Sequence, residues 1–148
     1  MSIFKSDAKI ELEMLEGGDL KIKFNSRTMD DLIIKRAGIP QEEMGAEARK
    51  LLAASLAECM CSTLLFMLKW AGVKVENFKA VAEAITAKDE KGRNCVNNIN
   101  LTIYLHIPKD ENMIKKFKRA ENLFKRGCLM SRSLERGIKI NYRIEVES

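Results

Sequence analysis

Apolar and polar residues alternate twice near the start of the chain, over Lys9–Met14 ("KIELEM") and over Leu20–Phe24 ("LKIKF"). A period of two is the signature of a strand that turns one face inward. Between the two runs lies Glu16-Gly17-Gly18-Asp19, whose glycines supply the positive φ angles of a tight turn, so the pair predicts a β-hairpin. Ser26–Gly45 is ambiguous: "LIIK" fits a short strand or the middle of a short helix, and Gly38 and Pro40 break either one. From Ala46 to about Ala71 the pattern changes to a long helix rich in Ala, Leu, Met, Lys and Glu, all good helix formers. From Leu51 onward it is apolar nearly all round, and Gly72 is a natural stop. Such a helix is expected to be buried on every side. At its rise per residue it would be roughly 39 Å long, more than one small domain wraps, and a second copy of the chain is the simplest cover.

The remaining segments alternate type. Phe78–Thr86, "FKAVAEAIT", is ambiguous, since its alanines favour helix and its alternation favours strand. Ile99–Ile107 is a clear strand: Ile99, Leu101, Ile103, Leu105 and Ile107 face one way, with Asn100, Thr102, Tyr104 and His106 opposite. Pro108 ends it, Asp110 is placed to cap a helix, and that helix is expected to run to Gly127. Ile138–Val146, "IKINYRIEV", predicts a last strand. The order is strand, strand, long helix, strand, strand, helix, strand, which is an α+β domain spanning residues 1–148.

Composition narrows the partners. At 148 residues, 46% hydrophobic and 32% charged, the chain reads as one ordinary globular domain. The net charge of +5 is modest, and the densest basic stretch, Lys115–Arg126, carries its apolar residues at helical spacing. It therefore reads as the wet face of an amphipathic helix, and no nucleic-acid partner is expected. "MSIFKSDAK" turns polar at once, which argues against a signal peptide. The apolar run Leu51–Leu68 is shorter than the roughly 20 residues of a span and holds Glu58, so no membrane is expected and a cytoplasmic location follows. In that compartment four cysteines read as thiols, catalytic groups or metal ligands, not as a disulfide scaffold.

Cys59 and Cys61 sit two residues apart on the long helix and so point to opposite sides. Cys59 shares its face with Ser55, Leu56, Ser62 and Thr63; Cys61 shares one with Ala57, Leu64, Leu65 and Leu68 and looks like a small core hydrophobe. Cys128 follows a helix end between Arg126 and Arg132, where nearby cations favour the reactive thiolate. Cys95 precedes the clear strand, beside Arg93. There is no CxxC pair, the one histidine, His106, falls on a polar strand face, and neither GxxxxGK[ST] nor GxGxxG occurs. Metal, Cys–His hydrolase and nucleotide chemistry therefore lack support, and thiol redox chemistry remains beside the plainer reading of inert buried cysteines.

Two local motifs and the element order go further. "LLAASLAECMCSTLLFML" and "CLMSRSLERGIKINYRIEV" resemble the two signatures of the OsmC/Ohr family, the osmotically induced and organic hydroperoxide resistance proteins, and the order of elements matches from Lys9 to Val146. The resemblance implies an antiparallel β-sheet wrapped around a long buried central helix, in an intertwined homodimer with its sites at the subunit interface. It also implies a thiol peroxidase. Cys59 would attack the O–O bond of an organic hydroperoxide, become a sulfenic acid and be resolved by Cys128, with no bound cofactor and an external thiol or a dithiol such as dihydrolipoamide as reductant.

The chain departs from the hydroperoxide-resistance branch in two places. That branch has an arginine after the hairpin's Gly-Gly, where this chain has Asp19 and Leu20, and a Pro-Glu before the helix, where this chain has Ala48 and Arg49. Arg49, Arg27 and Arg36 are the remaining candidates for a cation beside Cys59, and Glu58 raises that thiol's pKa unless a cation offsets it. The departures favour the OsmC-like branch. They also keep two alternatives open: a non-catalytic dimer that binds an apolar ligand, or a redox sensor.

Overall fold

The computed structural model describes residues 7–147, so the start "MSIFKS" lies outside the described residues. The chain divides into two compact units, 1–48 and 49–148.

The first unit is a three-stranded antiparallel sheet, β1 (Glu11–Met14), β2 (Leu20–Lys23) and β3 (Leu32–Ile34), in the order β1-β2-β3. The predicted hairpin forms as expected: Gly17 and Gly18 have φ of 93° and 104°, and Leu15 N–H donates to Asp19 C=O at 2.8 Å. "LIIK" resolves to strand, not helix, because Leu32 and Ile34 pair with Ile22 and Leu20. The register puts Leu12, Ile22 and Leu32 in one cross-strand row and Met14, Leu20 and Ile34 in the next, an apolar face built by the period of two. On the other face Lys23 meets Glu13 at 3.2 Å and Lys21 meets Asp31 at 3.9 Å.

Asp19 ties the hairpin to the segment after β3. Its Oδ1 accepts the backbone N–H of Arg36 at 2.7 Å and of Ala37 at 2.8 Å. These bonds, first from Ala37 and then from Arg36, hold its carboxyl below the usual aspartate range. A depressed folded pKa gives a contribution present above the unfolded value of about 4 and lost as pH falls through the folded value. Amide exchange at Arg36 and Ala37 is therefore expected to lose protection in that acid window while the β1–β2 amides keep theirs. Uniform behaviour of all these amides would remove the anchoring role.

The second unit opens with α1 (Glu47–Trp70), followed by β4 (Asn77–Lys88), β5 (Asn94–His106), α2 (Glu111–Phe124) and α3 (Leu129–Arg136). β4, the ambiguous segment, becomes strand because thirteen-residue β5 offers it a continuous antiparallel ladder from Asn77↔His106 to Lys88↔Asn94. One bulge falls after Ile85, where pairing passes from Asn98 to Val96 and Asn97 is the extra residue. The predicted cap on α2 is present: the Asp110 side chain accepts Met113 N–H at 2.8 Å. Leu64, Leu68, Val73 and Ala120 form the buried core, packed by Phe78, Ile103, Leu105, Phe117 and Phe124 among others.

Three expectations are corrected. β5 begins at Asn94, so Cys95 lies in the strand, not before it. The helix expected to reach Gly127 ends at Phe124, and a separate helix, α3, follows from Leu129, between Gly127 (φ 80°) and Gly137 (φ 88°). Finally, Ile138–Val146 pairs with no strand among the described residues. Ile140, Tyr142, Ile144 and Val146 are each more than four-fifths exposed. The alternation is real, but a strand forms only where an edge supplies partners for its N–H and C=O groups.

The long helix is buried along one stripe only, at Ala53, Leu56, Leu64 and Leu68. Phe66 is 71% and Trp70 59% exposed, and Leu65 is also open. The Arg119 guanidinium lies 5.1 Å over the Trp70 ring, a cation–π contact. By length and composition residues 41–70 could cross a membrane; in this α+β unit the same apolarity packs Leu64 and Leu68 into the core.

Candidate active site

All four cysteines are free thiols. Cys59 lies mid-way along α1, where Thr63 Oγ1 donates to its C=O at 2.8 Å. Cys128 is the N-cap of α3 and is nearly closed off, 4% exposed. Its Sγ accepts Ser131 N–H at 3.4 Å, while the Ser131 side chain accepts Cys128 N–H at 2.9 Å. This is a capping box with a thiol in place of the usual hydroxyl. The local sequence explains it: Gly127 in the left-handed region ends one helix, and four residues later Ser131 closes the box that starts the next.

The second unit sets Cys59 and Cys128 near enough that each thiol acts on the other's ionisation. Their ionisation is driven apart. Burial pushes the Cys59 thiol up; the neighbouring Cys128 thiol and the Glu58 carboxylate push the same way, against the Met130 amide. Burial also opposes ionisation of Cys128, but the Cys59 thiol, the Ser131 amide and hydroxyl, and the Met130 amide outweigh it and bring that thiol down. A thiolate at a helix N-terminus is stabilised by the same unpaired amides that stabilise any anion there. Cys61 is pushed up by burial and by Glu58, but it is half-buried and stands outside the core cluster, not in it as the sequence suggested. Cys95 is exposed and donates to Ala87 C=O at 3.5 Å.

The other sequence-predicted residues fall elsewhere. Glu58 is exposed and accepts Ser62 Oγ at 2.6 Å, one helical turn on. Arg49 reaches across to β4, where its Nη1 donates to Thr86 Oγ1 at 3.0 Å. Arg27 and Arg36 belong to the first unit, Arg27 in the turn after β2 and Arg36 just after β3. His106 sits at the end of β5, near Asn77 Nδ2 at 3.4 Å.

Ser131 and the Met130 amide were missed from sequence. The available signal was the pair of glycines bracketing nine residues, with Cys128 three before a serine that can cap in return. Ser131 also lines a cleft of about 640 Å³, walled by Leu52, Leu56 and Met60 of α1 and by Leu134, with Asn97 and Asn98 of the bulged strand on its polar side.

Two free thiols, one on α1 and one at the start of α3, thus lie in one unit of an α+β fold. The family model for OsmC-like protein matches residues 41–143, a span that includes both thiols, and the chain belongs to the OsmC-like family. Two solved OsmC-like structures bear out the fold. The OsmC-like protein of Mycoplasma pneumoniae is 17% identical, with 89% of each chain covered and a TM-score of 0.64. An OsmC-like protein of unknown function from Vibrio cholerae is 14% identical over 86% of this chain and 92% of its own, with a TM-score of 0.65. The organic hydroperoxide resistance protein OhrB of Bacillus subtilis is 18% identical over 86% of this chain and 89% of its own, with a TM-score of 0.46. No curated protein matches the sequence.

Proposed function

We propose that the protein is a thiol peroxidase that reduces organic hydroperoxides through Cys59 and Cys128. The observation that carries this reading is that one unit holds two free thiols that act on each other's ionisation, one on α1 and one at the N-terminus of α3. Cys59, the more open of the two, takes the outer peroxide oxygen and becomes a sulfenic acid. Cys128 then condenses with it, water leaves, and an external dithiol such as dihydrolipoamide reduces the disulfide. The apolar walls of the adjoining cleft suit an alkyl or aryl hydroperoxide better than hydrogen peroxide. The reductant sets the protein in the cytoplasm, where thiols stay reduced.

The working form in this reading is a homodimer. Phe66 and Trp70 leave an exposed aromatic face on α1, and the 138–146 segment has an apolar row and no partner edge among the described residues. A second copy supplies cover for both.

The test is consumption of tert-butyl or fatty-acid hydroperoxide by the purified protein with dihydrolipoamide, followed by disulfide mapping. Turnover with a Cys59–Cys128 bond is the expected result. Absence of turnover with both thiols still reduced would sink the peroxidase and favour the ligand-binding alternative, which the apolar cleft supports.

A further inference from the structure

The cleft that Ser131 lines is apolar along its depth and polar at its rim. Leu52, Leu56 and Met60 of α1 and Leu134 of α3 give it walls that are buried or half-buried, whereas Asn97, Asn98 and Glu135 are exposed. Its volume, about 640 Å³, falls in the usual range for a small-molecule site. Consecutive residues of a regular strand face opposite ways. The bulge in β5, which leaves Asn97 as the extra residue, lets two consecutive asparagines reach the same rim. They are joined amide to amide: Asn97 Nδ2 donates to Asn98 Oδ1 at 3.5 Å, and Asn98 Nδ2 to Asn100 Oδ1 at 3.1 Å.

A carboxamide meets a donor or an acceptor, so the asparagines call for a polar head group without fixing its kind. Glu135 fixes it. Its carboxylate only accepts, and it forms no salt bridge among the described residues. No lysine or arginine lines the cleft among the described residues. Arg49, a helical turn ahead of Leu52 on α1, is turned to Thr86 on β4.

We propose that this rim selects the occupant by its head group. The cleft takes an alkyl or aryl body that ends in a hydrogen-bond donor, a hydroxyl or an ammonium, and turns carboxylates away. The selection belongs to the cleft and holds whether or not the thiols react. For the substrate class it rests on the peroxidase reading and deepens it: a fatty-alcohol hydroperoxide is used in preference to the fatty-acid hydroperoxide of the same chain. The net charge of +5 draws anions to the protein as a whole. A preference for ammonium over carboxylate therefore reports the local charge of the rim, against the overall field.

The experiment is displacement of N-phenylnaphthylamine, an uncharged fluorescent probe of apolar sites, from the reduced full-length protein by octanol, octylamine and octanoate. The three share one chain length, and at about pH 7.5 the amine is a cation and the acid an anion. Octylamine is expected to displace the probe at about tenfold lower concentration than octanoate, the size of one charge interaction at a water-exposed rim. Octanol should fall between them, and the gap should shrink as salt is added. Glu135→Gln should close most of the gap, and Glu135→Lys should reverse the order. Glutamine and lysine are good helix formers and position 135 is exposed, so α3 keeps its helix, which a circular-dichroism melt checks. Octanoate displacing as well as octylamine, or a gap unchanged in Glu135→Gln, would overturn the inference. So would failure of all three to displace the probe. No peroxide is present, so this result is read apart from turnover: a protein that ranks the ligands as expected and consumes no hydroperoxide loses the peroxidase reading alone.

Discussion

Replacing Cys59 by serine is expected to bring hydroperoxide consumption down to the uncatalysed background, the largest single effect available in this chain. A hydroxyl is a far poorer nucleophile than a thiol and forms no disulfide, so neither half of the cycle survives. No other thiol is placed to substitute. Cys61 lies on the opposite side of α1 from Cys59, is half-buried and is held protonated by burial and Glu58. Cys95 is on β5 with its thiol on the Ala87 carbonyl. Serine is close to cysteine in size and the position is only half-buried, so the melting curve should scarcely move while turnover vanishes. Residual activity within tenfold of wild type would show that the chemistry lies with another group, and disulfide mapping of that variant would say which.

The parts of this fold that the sequence made legible are those whose pattern is local. The hairpin at Gly17-Gly18, the long helix, the Ile99–Ile107 strand and the Asp110 cap all declare themselves within a turn or a strand length. β4 did not, because "FKAVAEAIT" has helix propensity and strand periodicity at once, and only the β5 ladder decides between them. α3 was hidden for a different reason. Its N-cap is a cysteine, and capping preferences direct attention to Ser, Thr, Asp and Asn. The site followed the same division. Cys59 and Cys128 stood out as residue types in suggestive surroundings, whereas the Met130 amide that favours both thiolates and the Ser131 amide that favours that of Cys128 carry no mark in the sequence beyond the helix start itself. Arg49 could be named as a cation near the helix entrance, but its bond to Thr86 depends on the fold of β4 against α1.

Truncation of the core is the second large effect, and it separates what one chain buries from what two chains bury. Leu68 has no exposed surface and sits in the cluster with Leu64, Val73 and Ala120. Leu68→Ala is expected to cost about 2–5 kcal/mol, the lost transfer energy plus a cavity that Phe78, Leu105 and Phe117 close only in part. For a protein of this size each kcal/mol lowers the melting temperature by roughly 2–4 °C, so the midpoint should fall by about 10 °C. A drop of one or two degrees would mean that the core around Leu68 is looser than the contacts imply. Phe66 lies two residues earlier on the same helix and is 71% exposed. In an isolated chain Phe66→Ala should stay within about 0.5 kcal/mol of wild type, as for an ordinary surface site. If the exposed face of α1 is covered by a second copy, as proposed, the same substitution should cost several times more, and the cost should grow as the protein is diluted, because dimer stability depends on protomer concentration. Concentration-independent melting of Phe66→Ala at the wild-type temperature would leave the dimer without its aromatic face and return α1 to a helix covered on one side only.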